Sequence, residues 1–282
     1  CHYNNLTTLD LSHNPKLTIL SCYERQIDAI DLRNNPLLTS FACGDSQITE
    51  LDFSQNPELQ KVDSRGNPLK TIDVSKSPKL ISLTCYGSQI TTLDLTNNPV
   101  LDSLNFWSNQ ITQLDLSNNT ELTYLSCDDN QLTELDLSKN TKLTYLSCFN
   151  NQLTALDLSN NTDLDYLSCG YNQLTQLDLS NNTELTYLSC YYNQLTELDV
   201  SNNTDLDYLN CSGNQLTALD LSNNTELTIV YCAYNQLTEI DLSNNTALQS
   251  ARCTDNPLET IYVFEGYSFT LEKPETTQVV VK

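Results

Sequence analysis

The sequence of 282 residues lacks methionine and has only 13 lysine and arginine residues, against 36 aspartate and glutamate residues. A formal net charge of -23 repels phosphate backbones and anionic lipid, so nucleic acid and membrane surfaces are not expected partners. Basic proteins, divalent cations and neutral ligands remain open. No apolar run approaches the roughly 20 residues of a membrane-spanning helix, so we expect no membrane insertion. Because position 1 is not an initiator methionine, we expect a processed or trimmed chain.

Histidine and helical patterns are also scarce. The two histidines, His2 and His13, lie at one end of the chain, so no nucleophile with a histidine base is predicted. No segment carries ten or more residues of helical apolar periodicity, which excludes helical repeats.

What the sequence does contain is a regular row of cysteines. All eleven lie on one 21-residue lattice, whose two other points hold Ser64 and Phe106. A fixed period of this length predicts one structural unit stacked about twelve times. The cysteines are Cys1, Cys22, Cys43, Cys85, Cys127, Cys148, Cys169, Cys190, Cys211, Cys232 and Cys253.

Each repeat has two related halves, as in LTYLSCYYNQLTELDVSNNTD from Leu185 to Asp205. The first half has the pattern of a leucine-rich repeat strand and turn, in which the leucines and the cysteine point inward and an asparagine closes the turn. The second half predicts another short extended segment. The predicted fold is therefore mainly β, a leucine-rich repeat solenoid of about twelve coils with a parallel sheet on its concave face and low curvature.

The repeat pattern also sets the predicted domain boundaries. Residues 1–263 are predicted to form the solenoid, and residues 264–282 a C-terminal cap or the stub of a following module. The apolar side chains of this last segment can cover the final coil, which would otherwise expose its core. Residues 278–282 are predicted to form a short strand.

The cysteines are predicted to be buried thiols rather than disulfides. In-register Cβ atoms point the same way and suit the disulfide dihedral poorly, and Phe106 in the same slot indicates a place for apolar volume. A straight ladder does not converge on a tetrahedral metal site, so neither a metal nor a cofactor is predicted.

An aspartate column runs through the second half of every repeat, from Asp10 to Asp241. Like charges about 5 Å apart repel, so the column needs compensation. Hydrogen bonds to the following turn, with partial protonation of some members, are one explanation. A row of calcium ions bridging neighbouring coils is the other.

An outward aromatic face is the candidate binding site. Tyrosine and tryptophan offer rigid contact area and a hydrogen-bonding edge, which is typical of recognition surfaces. Ring stacking that only stabilises the sheet is the alternative. The candidate residues are Tyr86, Trp107, Tyr124, Tyr145, Phe149, Tyr166, Tyr171, Tyr187, Tyr191, Tyr192, Tyr208, Tyr231 and Tyr234.

The 21-residue repeat with cysteine in place of a core leucine resembles the bacterial internalins. The resemblance runs from Cys1 to about Val263. It implies a monomeric, non-enzymatic adhesin-like protein, secreted or on a bacterial cell surface, whose concave face binds a host or environmental protein or glycan. A structural spacer without a ligand and a glycan-active enzyme are the alternatives.

Overall fold

A computed structural model describes residues 6–23 and 26–282, in which all regular structure is β-strand. Cys1 and His2, named above, lie outside the described residues. The chain divides into two compact units, residues 1–142 and 143–282. No helix of the described ranges is long and apolar enough to span a membrane.

The first unit contains six described strands, which pair in parallel in chain order. Paired residues are one repeat apart, as Ile19 opposite Ser40. The strands are β1 (Ile19–Ser21), β2 (Ser40–Ala42), β3 (Lys61–Asp63), β4 (Ser82–Thr84), β5 (Ser103–Asn105) and β6 (Tyr124–Ser126).

The second unit contains two parallel sheets, in the orders β7-β8-β9-β10-β11-β13-β15 and β12-β14-β16. The strands are β7 (Tyr145–Ser147), β8 (Tyr166–Ser168), β9 (Tyr187–Ser189), β10 (Tyr208–Asn210), β11 (Ile229–Tyr231), β12 (Glu239–Asp241), β13 (Ser250–Arg252), β14 (Thr260–Val263), β15 (Thr270–Glu272) and β16 (Gln278–Val281). The leucine-rich repeat solenoid predicted from the sequence is confirmed.

The core consists of the predicted leucine and cysteine columns. In the coil of β9, Leu188 and Cys190 are fully buried, because alternate residues of a strand point to opposite faces. Phe106 and Ser64 are also fully buried in the cysteine column. The ten described cysteines are buried thiols, as predicted.

In most coils an asparagine follows the strand and bonds to two coils, whereas Ser46 and Ser88 take its place after β2 and β4. Asn109 donates from Nδ2 to the carbonyl oxygens of Cys85 at 3.0 Å and Phe106 at 2.9 Å, and its Oδ1 accepts the Ile90 N–H at 3.0 Å. The side chain thereby satisfies backbone groups that the strand leaves unpaired. The predicted role of this column is confirmed.

A second asparagine ladder lies in the turn after the aspartate column. Asn119 donates from Nδ2 to the carbonyl oxygens of Leu95 at 3.2 Å and Asn98 at 2.9 Å, while its Oδ1 is buried without a hydrogen bond. Ser77 fills the same place and donates to the Asn56 carbonyl at 3.2 Å.

The second extended segment differs from the prediction over most of the chain. It forms a ladder of strands only from Glu239 onward, as β12, β14 and β16, whereas Asp52 and Asp73 form an isolated bridge. The aspartate carboxylate accepts a backbone N–H of the turn both in these preceding coils and in the coil of β12. Before Glu239 the predicted extended segment is therefore not a continuous strand ladder.

The C-terminal segment continues both sheets of the second unit. β15 pairs with β13 and β16 with β14, with offsets shorter than a full repeat, since Ser250 faces Thr270 and Thr260 faces Gln278. Phe269 is buried and its ring lies 5.4 Å from that of Tyr267. The strand predicted near residue 278 is present as β16.

Candidate binding surface

The candidate residues lie on the side of each coil opposite the core. We call this side the outer face of the sheet; in one coil it comprises Tyr187, Ser189 and Tyr191, together with Tyr192 in the turn that follows. Ten of the thirteen predicted residues are half-buried, and Tyr171, Tyr192 and Tyr234 are exposed. Tyr86, Trp107 and Tyr124 belong to the first unit and the other ten to the second.

Four tyrosines of the second unit form a continuous row, which we call the tyrosine stack: Tyr145, Tyr166, Tyr187 and Tyr208. Their ring centroids are 4.3, 4.2 and 4.4 Å apart along the row, and the ring planes differ by no more than 9°. The spacing follows from the parallel register, which places each tyrosine opposite the one in the next coil. Because the ring faces cover each other, ring edges and hydroxyl groups remain available on the outside.

The stack changes the acidity of its hydroxyl groups. Burial, followed by the neighbouring Tyr166, raises the pKa of Tyr187 to about 12. Burial and the neighbouring Tyr187 raise the pKa of Tyr208 to about 12 as well. The hydroxyls of Tyr187 and Tyr208 therefore stay uncharged at neutral pH.

A second group of rings lies beside the stack; we call it the aromatic cluster, formed by Phe149, Tyr171, Tyr191 and Tyr192. Phe149 and Tyr191 stack at 5.7 Å although they are two coils apart, because Gly170 occupies the coil between them. Tyr171 meets Phe149, Tyr191 and Tyr192 at 5.4, 5.2 and 4.6 Å. The cluster thus joins three successive coils.

Three exposed tyrosines adopt a backbone conformation that bulky residues rarely use. Tyr171, Tyr192 and Tyr234 have φ angles of 49°, 51° and 55°, in the left-handed region. Other coils place glycine, aspartate, asparagine or serine at this point, as at Gly87, Asp129 and Asn150. Backbone strain of this kind costs about 1–3 kcal/mol and concentrates at functional sites.

The first unit carries a polar aromatic network on its outer face. Arg65 donates from Nε to Asp63 Oδ1 at 2.9 Å and from Nη1 to the Tyr86 hydroxyl at 3.1 Å. Its guanidinium carbon lies 5.4 Å from the Tyr86 ring centroid, and Tyr86 stacks on Trp107 at 4.6 Å. Tyr23 donates to Asp63 Oδ2 at 2.9 Å. Arg65, Asp63 and Tyr23 were not among the predicted site residues.

The sequence held a usable signal for this network. Asp63 and Arg65 flank Ser64 on the cysteine lattice, which places both side chains on the outer face. Asp63 and Arg65 would have been identified if all residue types at the two positions beside the cysteine lattice had been considered, and not the aromatic ones alone. Burial and the hydrogen bond to Asp63 raise the pKa of Tyr23 to about 12.

The aspartate column lies on the other extended segment. Each carboxylate accepts the backbone N–H of the residue two positions later, as Asp178 does from Ser180 at 2.9 Å and Asp199 from Ser201 at 2.9 Å. The predicted compensation by the turn is confirmed. The predicted partial protonation is wrong, because these hydrogen bonds lower the pKa of the carboxyl groups. Among the described residues, no group of three or more His, Cys, Asp or Glu side chains could hold a metal ion.

Comparison with known proteins gives several similar chains. A family model described as Leucine Rich Repeat matches residues 5–23. The functional domain of InlJ from Listeria monocytogenes, described as including a cysteine ladder, is 34% identical, with a TM-score of 0.80 over 92% of this chain and 67% of that chain. None of the curated proteins compared with the chain matches it.

Two further solved structures share the fold at lower identity. The internalin InlF from Listeria monocytogenes is 21% identical, with a TM-score of 0.82 over 94% of this chain and 87% of that chain. A leucine-rich repeat protein of Leptospira interrogans is 22% identical, with a TM-score of 0.78 over 90% of this chain and 77% of that chain.

Proposed function

Because the chain belongs to the internalin-like leucine-rich repeat proteins, we propose that it is a non-enzymatic binding protein of a bacterial surface or secretome. It acts as a monomer and recognises a protein or glycan through the outer face of its sheet. The tyrosine stack and the aromatic cluster supply the contact area.

The observation that carries this proposal is the pair of exposed, strained tyrosines in the aromatic cluster. Tyr171 and Tyr192 are each 44% exposed and each hold a left-handed backbone conformation. Folding stability alone favours asparagine or glycine at such a position. A large ring kept there at a conformational cost supports contact with a partner.

Catalysis has less support. The described cysteines are buried, and burial raises the pKa of Cys85 and Cys190 to about 12, so neither supplies a thiolate nucleophile at neutral pH. A glycan-active pair of carboxylates would need a pocket that separates their pKa values. The carboxylates beside the tyrosine stack line an open groove instead.

The test is an unbiased binding screen of the full chain against a glycan array and a panel of surface proteins, followed by variants of the stack. Tyr145→Ser, Tyr166→Ser and Tyr187→Ser, combined in one chain, are expected to lower affinity for the partner by about tenfold or more. Gln176→Ala, an exposed residue of the same unit, is the matched control and should bind as the unmodified chain does.

Circular dichroism and thermal unfolding establish that the variant folds. Loss of binding by a folded triple variant, with the control unchanged, supports recognition by this face. Unchanged binding by the folded triple variant contradicts it. If the screen finds no partner, the result favours the alternative of a structural spacer without a ligand.

A further inference from the structure

Basic residues are absent from a long part of the second unit. No lysine, arginine or histidine occurs from residue 143 to residue 251, whereas this stretch contains 13 aspartate and glutamate residues. The first unit has ten lysine and arginine residues against 18 acidic ones, and the second has three against 18. The negative charge is therefore concentrated in the unit that carries the tyrosine stack.

A row of carboxylates borders the stack. We call it the acidic band: Asp163, Asp165, Glu184, Asp205, Asp207 and Glu226, all of them exposed. Asp165 and Asp207 directly precede Tyr166 and Tyr208 of the stack. Asp163, Asp165, Glu184 and Asp205 line one surface groove together with threonine side chains.

One of the two repeat positions that form the band also carries lysines in the first unit. There Lys79 pairs with Glu58 at 2.6 Å and Lys142 with Glu121 at 2.6 Å, each pair joining neighbouring coils. Asp163, Glu184, Asp205 and Glu226 occupy the equivalent positions of the second unit without an intervening lysine. No ion pair among residues 6–23 and 26–282 involves the acidic band.

The first unit shows how a cation binds to such a face. The Arg65 guanidinium contacts the carboxylate of Asp63 and the hydroxyl of Tyr86, and lies against the Tyr86 ring. Arginine combines a planar set of donors with affinity for aromatic rings, which suits carboxylate and phenol groups side by side. The tyrosine stack and acidic band bring phenol and carboxylate groups together in three coils, those of Tyr166, Tyr187 and Tyr208, without an arginine of their own.

From this charge complementarity we infer that the partner of the second unit is a cationic polypeptide, a segment rich in arginine and lysine that lies along the tyrosine stack. Its guanidinium and ammonium groups bind the carboxylates of the acidic band, with which no lysine or arginine in the described part of this chain forms an ion pair. Its aliphatic stems cover the ring edges, and its donors reach the tyrosine hydroxyls. This inference rests on the proposed function and specifies the chemistry of the partner.

The test measures binding of fluorescently labelled peptides to the full chain by anisotropy. The probe alternates arginine and serine over ten residues, and the comparison peptide has glutamine in place of every arginine. The arginine peptide should bind and the glutamine peptide should not. Affinity should fall as salt rises, because exposed charges are screened.

Two matched variants distinguish binding of the peptide at this surface from its general attraction to an acidic protein. The band variant carries Asp163→Asn, Asp165→Asn, Glu184→Gln and Asp205→Asn. The control variant carries Asp157→Asn, Asp178→Asn, Asp199→Asn and Glu197→Gln, which removes the same charge from the other extended segment. Asparagine oxygens still accept the turn N–H groups in the control.

We expect the band variant to lose about tenfold or more in affinity for the arginine peptide, and the control variant much less. Equal losses in both variants, or none in either, overturn the inference. A partner from the screen that needs the tyrosine stack but is a glycan or neutral protein, bound equally by the band variant, also overturns it and leaves the proposed function intact. A partner that binds independently of the stack contradicts the proposed function itself.

Discussion

The ring of Tyr191 lies over the α-carbon of Gly170, one coil earlier. A Cβ atom at position 170 would lie 2.6 Å from both Cδ1 and Cε1 of Tyr191, closer than real side chains approach. The glycine leaves room for Tyr191 to reach Phe149 two coils away. The missing side chain at Gly170 therefore lets the aromatic cluster form.

Gly170→Ala is expected to lower the free energy of unfolding by about 1–3 kcal/mol, because the added methyl displaces the Tyr191 ring. Urea denaturation measures the change. In a chain that already carries Tyr191→Ala, the same substitution should cost less, since the ring contacts are gone and only the 2.9 Å contact with the backbone oxygen of residue 191 remains. Equal costs in both backgrounds would show that the ring and the glycine are not coupled.

Tyr234→Asn is expected to stabilise the fold. Tyr234 is 49% exposed with a φ of 55°, and asparagine adopts this conformation at lower cost, so the free energy of unfolding should rise by about 0.5–1 kcal/mol. Tyr231→Asn is the matched control. It changes a tyrosine of strand β11 whose ring meets that of Tyr208 at 6.0 Å, and should destabilise. Destabilisation by Tyr234→Asn would mean that the ring contributes more to folding than its strain costs.

The tyrosine stack predicts a pH dependence at the alkaline end. The pKa values of Tyr187 and Tyr208 are raised to about 12 from an ordinary value of 10.0, so folding favours their protonated forms. Their contribution to stability is complete below pH 10 and is lost as pH rises from 10 to 12. Tyrosinate absorbance during alkaline titration should show a late-titrating group of tyrosines that Tyr187→Phe diminishes. Titration of all tyrosines near their ordinary value in the folded chain would contradict this.

Burial of the cysteine ladder predicts protection from thiol reagents. In a Cys1→Ser chain, which removes the cysteine outside the described residues, the other ten should react only after unfolding. Burial raises the pKa of Cys85 and Cys190 to about 12, so the thiolate that reacts is scarce as well as inaccessible. Mass spectrometry after alkylation counts the labelled thiols. Rapid labelling of several cysteines in the native chain would contradict the buried ladder.

The repeat made most of the fold predictable from the sequence. Leu188 lies in strand β9 with Tyr187, and Cys190 directly follows the strand; alternation alone places Leu188 and Cys190 inside and Tyr187 outside. The number of residues that separates any other residue from the cysteine of its repeat then predicts its place in the coil. The second asparagine ladder was missed, because the burial of Asn119 depends on its bonds to the preceding coil.

The geometry of the candidate binding surface was predictable only in part, for a different reason. The repeat period predicts which rings lie on the outer face. Contacts between residues at different repeat positions depend instead on the size of the particular side chains in the neighbouring coils. The Tyr191 ring over Gly170 and the bond between Arg65 and Tyr86 are both of this kind. The positive φ of Tyr171 likewise follows from the turn geometry of its coil and not from its own preference.

Recognition through the outer face is tested most directly by hydroxyl-radical footprinting of the full chain with and without the partner found in the binding screen. Tyr262, in strand β14 of the other sheet, serves as the internal reference. Oxidation of Tyr171 and Tyr192 is expected to fall when the partner binds, while oxidation of Tyr262 stays unchanged. Protection of Tyr262 with no change at Tyr171 and Tyr192 would contradict it.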